Sequence, residues 1–168
     1  MFDLRRIMDL KPYSLKKSEK TALYNEAVNY LTTYHYENCL QYKKILDILG
    51  FNPKAKNSIS EIPFLPVRLF KDYDLLSIDK SKIIKTMTSS GTSGQSVSKI
   101  FLDKVTAINQ TKVLTKIVAE YLGKKRLPMV IIDTDSVLRD RNQFSARGAG
   151  ILGFSIFGKE IIYVLDDN

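Results

Sequence analysis

Apolar residues recur at helical spacing over the first third of the chain and in short strand-like runs over the rest. Leu23, Ala27, Tyr30, Leu31 and Tyr34 fall on one helical stripe. That helix should begin near Ser14 or Ser18, past the breaker in Leu10-Lys11-Pro12-Tyr13-Ser14, and either serine is a suitable cap. Tyr42, Ile45, Leu46 and Leu49 repeat at i, i+3, i+4 and i+7, with Gly50 placed to stop a second helix. Both faces read as core; Tyr30, Tyr34 and Tyr36 are also suited to lining a ligand pocket. From Phe51 to Pro66 the chain is punctuated like a loop, and the two prolines in Ile62–Phe70 predict an extended connector packed onto the domain.

Beyond the connector the β-branched run Lys82–Thr88 and the apolar run Ser98–Leu102 predict two strands. Asp103 should cap a helix with a buried stripe of Val105, Ile108, Leu114, Ile117, Val118 and Tyr121, ended by Gly123. Leu127–Ile132 is apolar without alternation, the pattern of a strand buried on both faces. A last strand is predicted in Glu160–Leu165, and it runs straight into the terminus. A parallel sheet edge without a covering helix predicts a truncated chain. The expected fold class is α/β: a helical N-terminal segment over residues 1–60, then part of a mixed sheet with flanking helices over residues 61–168, packed as one structural domain.

Length and charge bound the function. The 168 residues suffice for one domain with a core. A formal charge of +8 raises nucleic acid as a partner, but the excess is spread, +5 over residues 1–85 and +3 over residues 86–168. Without a basic stripe or stacking aromatics, nucleic acid is not the expected partner. No apolar run approaches a membrane span and no signal-peptide core follows Met1, so a cytoplasmic protein is expected. The lone Cys39 excludes an internal disulfide and reads as a small core residue; the lone His35 is given no role, and no metal site is expected.

The chemistry concentrates in Thr86–Gln95, where hydroxyls and two glycines three apart share one turn. Glycines let a backbone approach a ligand closely, and successive N–H groups with added hydroxyls make an anion-attracting concavity. The default ligand is a phosphate chain, while an ordinary hairpin loop stays open as the plain alternative. A triphosphate P-loop is rejected, because Gly94 leads to Gln95-Ser96-Val97 and a strand rather than to Lys-Ser/Thr and a helix. Asp133 and Asp135 stand at the carboxyl edge of the expected sheet, suited to magnesium or substrate or to capping the next segment. Gly148-x-Gly150-x-x-Gly153 formally matches a dinucleotide fingerprint but does not follow an opening strand, and tight helix–sheet packing explains it better; Arg147 beside it is either an anion ligand or a solvated cation.

Ser89-Ser90-Gly91-Thr92-Ser93-Gly94 resembles the nucleotide-phosphate loop of adenylate-forming enzymes. With Pro63–Lys71, Ser98–Asp103 and Ser145–Gly150, it looks like the acyl-protein synthetase (LuxE) family and its phenylacetate-CoA ligase relatives. The resemblance implies ATP with Mg2+, activation of a fatty or related carboxylic acid as its adenylate, and transfer to a thiol, with an acyl reductase or acyl carrier as partner. It implies phosphate contacts from Ser89, Ser90, Gly91, Thr92, Ser93 and Gly94. Many members carry a lysine three residues after the second glycine; that position is Val97 here, and Lys99 is the nearest candidate. The resemblance also puts the adenine pocket, the lysine-bearing domain and the acyl-accepting cysteine beyond position 168, so no catalytic residue is assigned. The rival expectation is a truncated, non-catalytic relative acting as a partner-binding module.

Overall fold

The computed structural model describes residues 2–89, 96–138 and 144–166. The chain is α/β and divides into two compact units, Met1–Ser81 and Lys82–Asn168.

The first unit is helical. After a short α1 (Arg5–Met8), α2 (Lys17–Asn38) and α3 (Leu40–Ile48) pack on each other. Neither Ser14 nor Ser18 caps α2: Lys16 takes the cap position, and the Glu19 carboxylate accepts its main-chain N–H at 2.8 Å. An acidic group in the first turn thus satisfies the main-chain N–H of the cap residue itself, the half of a capping box that the N3 side chain supplies. Gly50 ends α3 with φ +62°, where its N–H reaches the carbonyl of Asp47 and that of Phe51 reaches Leu46. This is the Schellman pairing that glycine makes accessible. Leu46 is fully buried, with Phe2, Ala27 and Cys39 also in the core.

A polar stripe on α2 holds the long loop that follows α3. Asn25 accepts the N–H of Ile59, Asn29 exchanges two hydrogen bonds with the main chain of Asn57, and Thr33 donates to the carbonyl of Pro53. These side chains lie four residues apart on one helix face, so a loop without ladder partners finds its hydrogen bonds there. The aromatic residues are structural: Tyr34 donates to the Ser77 carbonyl, and Tyr36 donates to Asp47 and accepts from Lys43. The proline-containing connector closes into a short α4 (Leu69–Asp72) instead of staying extended to Phe70. Proline blocks helix only for itself and its predecessor, and Pro66 lies before the turn.

In the second unit β1 (Ile83–Thr88) pairs antiparallel with β2 (Lys99–Asp103), and the short β4 (Phe144–Ser145) joins the other edge of β1 in parallel. A separate parallel pair is formed by β3 (Leu127–Ile131) and β5 (Gly158–Tyr163). Helix α5 (Lys104–Leu122) links β2 to β3, and α6 (Ala146–Ser155) packs against strands of both sheets. Asp103 caps α5 as expected, its carboxylate accepting the Thr106 N–H at 2.7 Å, and Gly123 ends it at φ +74°.

Burial departs from expectation in three places. On the helical faces read as core, Leu31 of α2 and Leu49 after α3 are exposed. Leu114, Ile117 and Val118 of α5 are half-buried, but Val105, Ile108 and Tyr121 are exposed. A helix of 19 residues runs about 28 Å, longer than the roughly 17 Å of the five-residue β2, so a sheet of this size cannot cover its whole apolar stripe. β3 is not buried on both faces either: Ile131 is 6% exposed while Val130 and Ile132 are 60% and 81% exposed. Its sheet is two-stranded, and one face has no layer over it among the described residues. The Gly148–Gly153 repeat lies within the body of α6 rather than forming the turn between a strand and the helix, as a dinucleotide fingerprint requires. A side chain at Gly153 would meet Leu114 at 3.2 Å, so that glycine serves helix-on-helix packing rather than the helix–sheet contact expected.

Candidate functional site

The hairpin of β1 and β2 has a side-chain clasp at its loop end. The N–H of Ser89 donates to the Ser98 carbonyl at 3.1 Å, and the N–H of Ser98 donates back to Ser89 Oγ at 3.0 Å. A hydroxyl supplies the second bond because the ladder has stopped pairing one residue earlier, at Thr88 opposite Lys99. The clasp fixes both stems of residues 90–97. Ser89 Oγ accepts that N–H with one of its two lone pairs, and a hydroxyl can donate as well as accept. Lys99 heads β2 and is exposed, in register with Thr88. Ser90, Gly91, Thr92, Ser93 and Gly94 lie outside the described residues.

Parallel pairing brings a second segment to this end of β1. Met87 faces Phe144 and Thr88 faces Ser145, so α6 begins beside the clasp. Two residues further on, Arg147 Nε meets Asp133 Oδ2 at 2.9 Å. Asp133 is buried at the carboxyl end of β3, and its other oxygen accepts the N–H of Thr134. Next to it Thr134 and Ser136 share a hydroxyl–hydroxyl hydrogen bond of 2.6 Å. The aspartate offered above as a magnesium ligand, substrate contact or cap is therefore the partner of the arginine offered as anion ligand or solvated cation. Sequence reading missed the pair; its only trace was an acidic residue ending an apolar run and an arginine after a two-residue strand.

The sequence pattern of the acyl-protein synthetase, LuxE, family matches residues 3–168. The chain belongs to that family. It is also 26% identical over 117 residues to a phenylacetate-coenzyme A ligase of Thermus thermophilus, a match covering 66% of this chain and 24% of the ligase. The chain thus spans about a quarter of the length of that relative.

Set in a LuxE-family chain, the clasp and its neighbours have the composition a polyphosphate needs: hydroxyls at Thr88, Ser89 and Ser98 and a cation at Lys99. Arg147 adds a second cation on the β4 side. A metal is a different matter, since the described residues hold no group of three or more His, Cys, Asp or Glu side chains able to bind one. Cys39 is buried at the junction of α2 and α3 and is no candidate nucleophile. Among the described residues no helix is long and apolar enough to cross a membrane.

Proposed function

We propose that this chain supplies the phosphate-gripping part of an ATP-dependent acyl-adenylate-forming ligase of the acyl-protein synthetase type. In such a reaction a carboxylate oxygen attacks the α-phosphorus of ATP, pyrophosphate leaves, and a thiol then takes the acyl group from the adenylate. The chain's own contribution is electrostatic positioning of the departing phosphates rather than covalent catalysis. Ser89, Ser90, Gly91, Thr92, Ser93 and Gly94 would donate main-chain N–H and hydroxyl hydrogen bonds to the β- and γ-phosphates, and Lys99 would supply charge beside them. Magnesium would enter with the nucleotide, on its phosphates. The carboxylic acid is a fatty or related acid, and the thiol belongs to an acyl carrier or a cysteine that feeds an acyl reductase.

The observation that carries this reading is the Ser89–Ser98 clasp under a Ser/Thr/Gly turn, in a chain that matches the family along nearly its whole length. The reading takes residues 1–60 as a helical N-terminal segment and residues 61–168 as an adenylation-type segment of the same domain. A second reading, a non-catalytic partner-binding module, is favoured by the apolar residues left open on the β3–β5 pair, among them Val130, Ile132 and Ile162.

Titration with ATP followed by ATP–pyrophosphate exchange over a panel of carboxylic acids separates the two. The ligase reading expects ATP binding by this chain, and exchange once a polypeptide carrying the family's adenine-binding and lysine-bearing segments is added. Neither binding nor exchange under those conditions would leave the partner-binding module.

A further inference from the structure

The geometry points to Arg147, held by Asp133, as a phosphate-binding group for the nucleotide at the carboxyl ends of β1 and β4. This rests on the ligase reading above and adds to it a cation outside the Ser/Thr/Gly turn. The argument starts from how the pair is built. Asp133 is one of only two buried polar side chains among the described residues, the other being Thr32 in the helical unit. A buried carboxylate needs its charge answered, and its two oxygens receive the Thr134 N–H and the Arg147 guanidinium.

The arginine is not consumed by this. It meets the aspartate through Nε, and its side chain is 69% exposed. A guanidinium has five N–H donors in a rigid fork, so a contact through Nε leaves the Nη donors of this exposed side chain able to take a further acceptor. A cation on an exposed lysine pays rotamer entropy to grip a ligand; here the aspartate has already fixed the fork. The placement then follows from topology. Ser145 lies across from Thr88, about 4.8 Å away as parallel neighbours do; Ser89 follows Thr88 directly, and Arg147 is the second residue of α6, which starts straight after Ser145 and packs against β1. The arginine therefore flanks the stem of the phosphate turn on the side away from Lys99, which stands on β2. A polyphosphate rising from the turn would meet positive charge on both flanks. Arg147 is a contact residue in this account, and Asp133 is a positioning residue.

The test uses the full chain with ATP, inorganic tripolyphosphate and adenosine as separate probes at millimolar concentration. Binding is read from amide shifts and from the Nε–H resonance of Arg147. Arg147→Gln should weaken ATP and tripolyphosphate by about tenfold, the worth of one charge-assisted hydrogen bond, and leave adenosine within about twofold. Arg147→Lys, which keeps the charge without the fork, should fall between, and it carries the test if the glutamine variant fails to fold. Asp133→Asn should weaken tripolyphosphate less than Arg147→Gln does, and the Nε–H resonance should move when ATP is added to the wild type. Wild-type affinity for tripolyphosphate in Arg147→Gln or, if that variant does not fold, in Arg147→Lys would overturn the proposal and leave the ligase reading standing. Equal losses of adenosine and tripolyphosphate would reduce the pair to a strut and overturn it too. Wild-type protein that binds neither ATP nor tripolyphosphate would remove the ligase reading and this inference together.

Discussion

Ser89→Ala isolates what the clasp contributes. The substitution deletes one of the two hydrogen bonds between Ser89 and Ser98 and leaves the main-chain bond from the Ser89 N–H in place. A neutral, part-buried hydrogen bond contributes about 1 kcal/mol net, and about 1 kcal/mol is roughly a fivefold change in an opening equilibrium. The Ser98 amide loses its acceptor outright, so its exchange protection should disappear. The informative probe is the Ser89 amide, whose own bond survives: its hydrogen exchange should quicken by about fivefold, reporting that the stems part more often. Ser89→Thr keeps the accepting oxygen and should stay near the wild-type rate. ATP affinity should fall by no more than the same factor of about five if the hydroxyl only closes the stems; a larger loss means that the hydroxyl also touches phosphate. An unchanged Ser89 amide in a folded Ser89→Ala protein would refute the clasp.

Two further outcomes follow from the same unit. Asp103→Ala removes the cap of α5 and should lower the protection of first-turn amides by about 1 kcal/mol, whereas Asp103→Asn keeps an acceptor and should cost less. Hydrogen bonds from the Thr106 hydroxyl and N–H hold the Asp103 carboxyl below its ordinary range. A depressed folded pKa stabilises above the unfolded carboxylate range, and the contribution is lost as pH falls through the folded value. The wild-type helix should therefore lose protection on acidification while Asp103→Asn stays flat there; parallel profiles would refute the charge's role. Adjacent residues at the end of β3 should behave oppositely: Ile131→Ala should cost about 2 kcal/mol or more in exchange protection of the β3–β5 pair, and Ile132→Ser, just past the strand, should stay within about 0.5 kcal/mol. Equal losses at the two positions would contradict the one-sided burial.

Much of the fold was legible because it is written locally. The helical run through Leu23 and Tyr34, the stop at Gly50 and the cap at Asp103 each depend on residues a few positions apart, and each stands where its local signal puts it, although Leu31 and Leu49 are exposed rather than core. Burial was less legible. Leu127–Ile132 reads as a two-sided core strand, yet side chains at 130 and 132 stand open, since burial depends on which layers arrive and a strand's own letters do not say. The polar stripe Asn25, Asn29 and Thr33 hid in plain sight for the opposite reason. A search for apolar periodicity passes over polar residues at the same spacing, although here they are what ties a proline-rich loop to its helix.

The candidate site shows why local and non-local signals must be read together. The Ser/Thr/Gly turn is chemically conspicuous in sequence, but composition leaves an ordinary hairpin loop as a full alternative. The Ser98 N–H bound to the Ser89 hydroxyl gives the turn a defined stem, and the family match over residues 3–168 gives that stem a chemical context. Arg147 had no such local mark. Its relevance comes from a two-residue parallel pairing with β1 and from an aspartate 14 positions earlier in the chain, at the end of a different strand. Neither relation has a period or a spacing to search for, because both are made by the fold after the strands have paired. If the turn grips polyphosphate, its flanking charge was assembled by topology, and Asp133→Asn should then disturb anion binding from a position that no motif would have chosen.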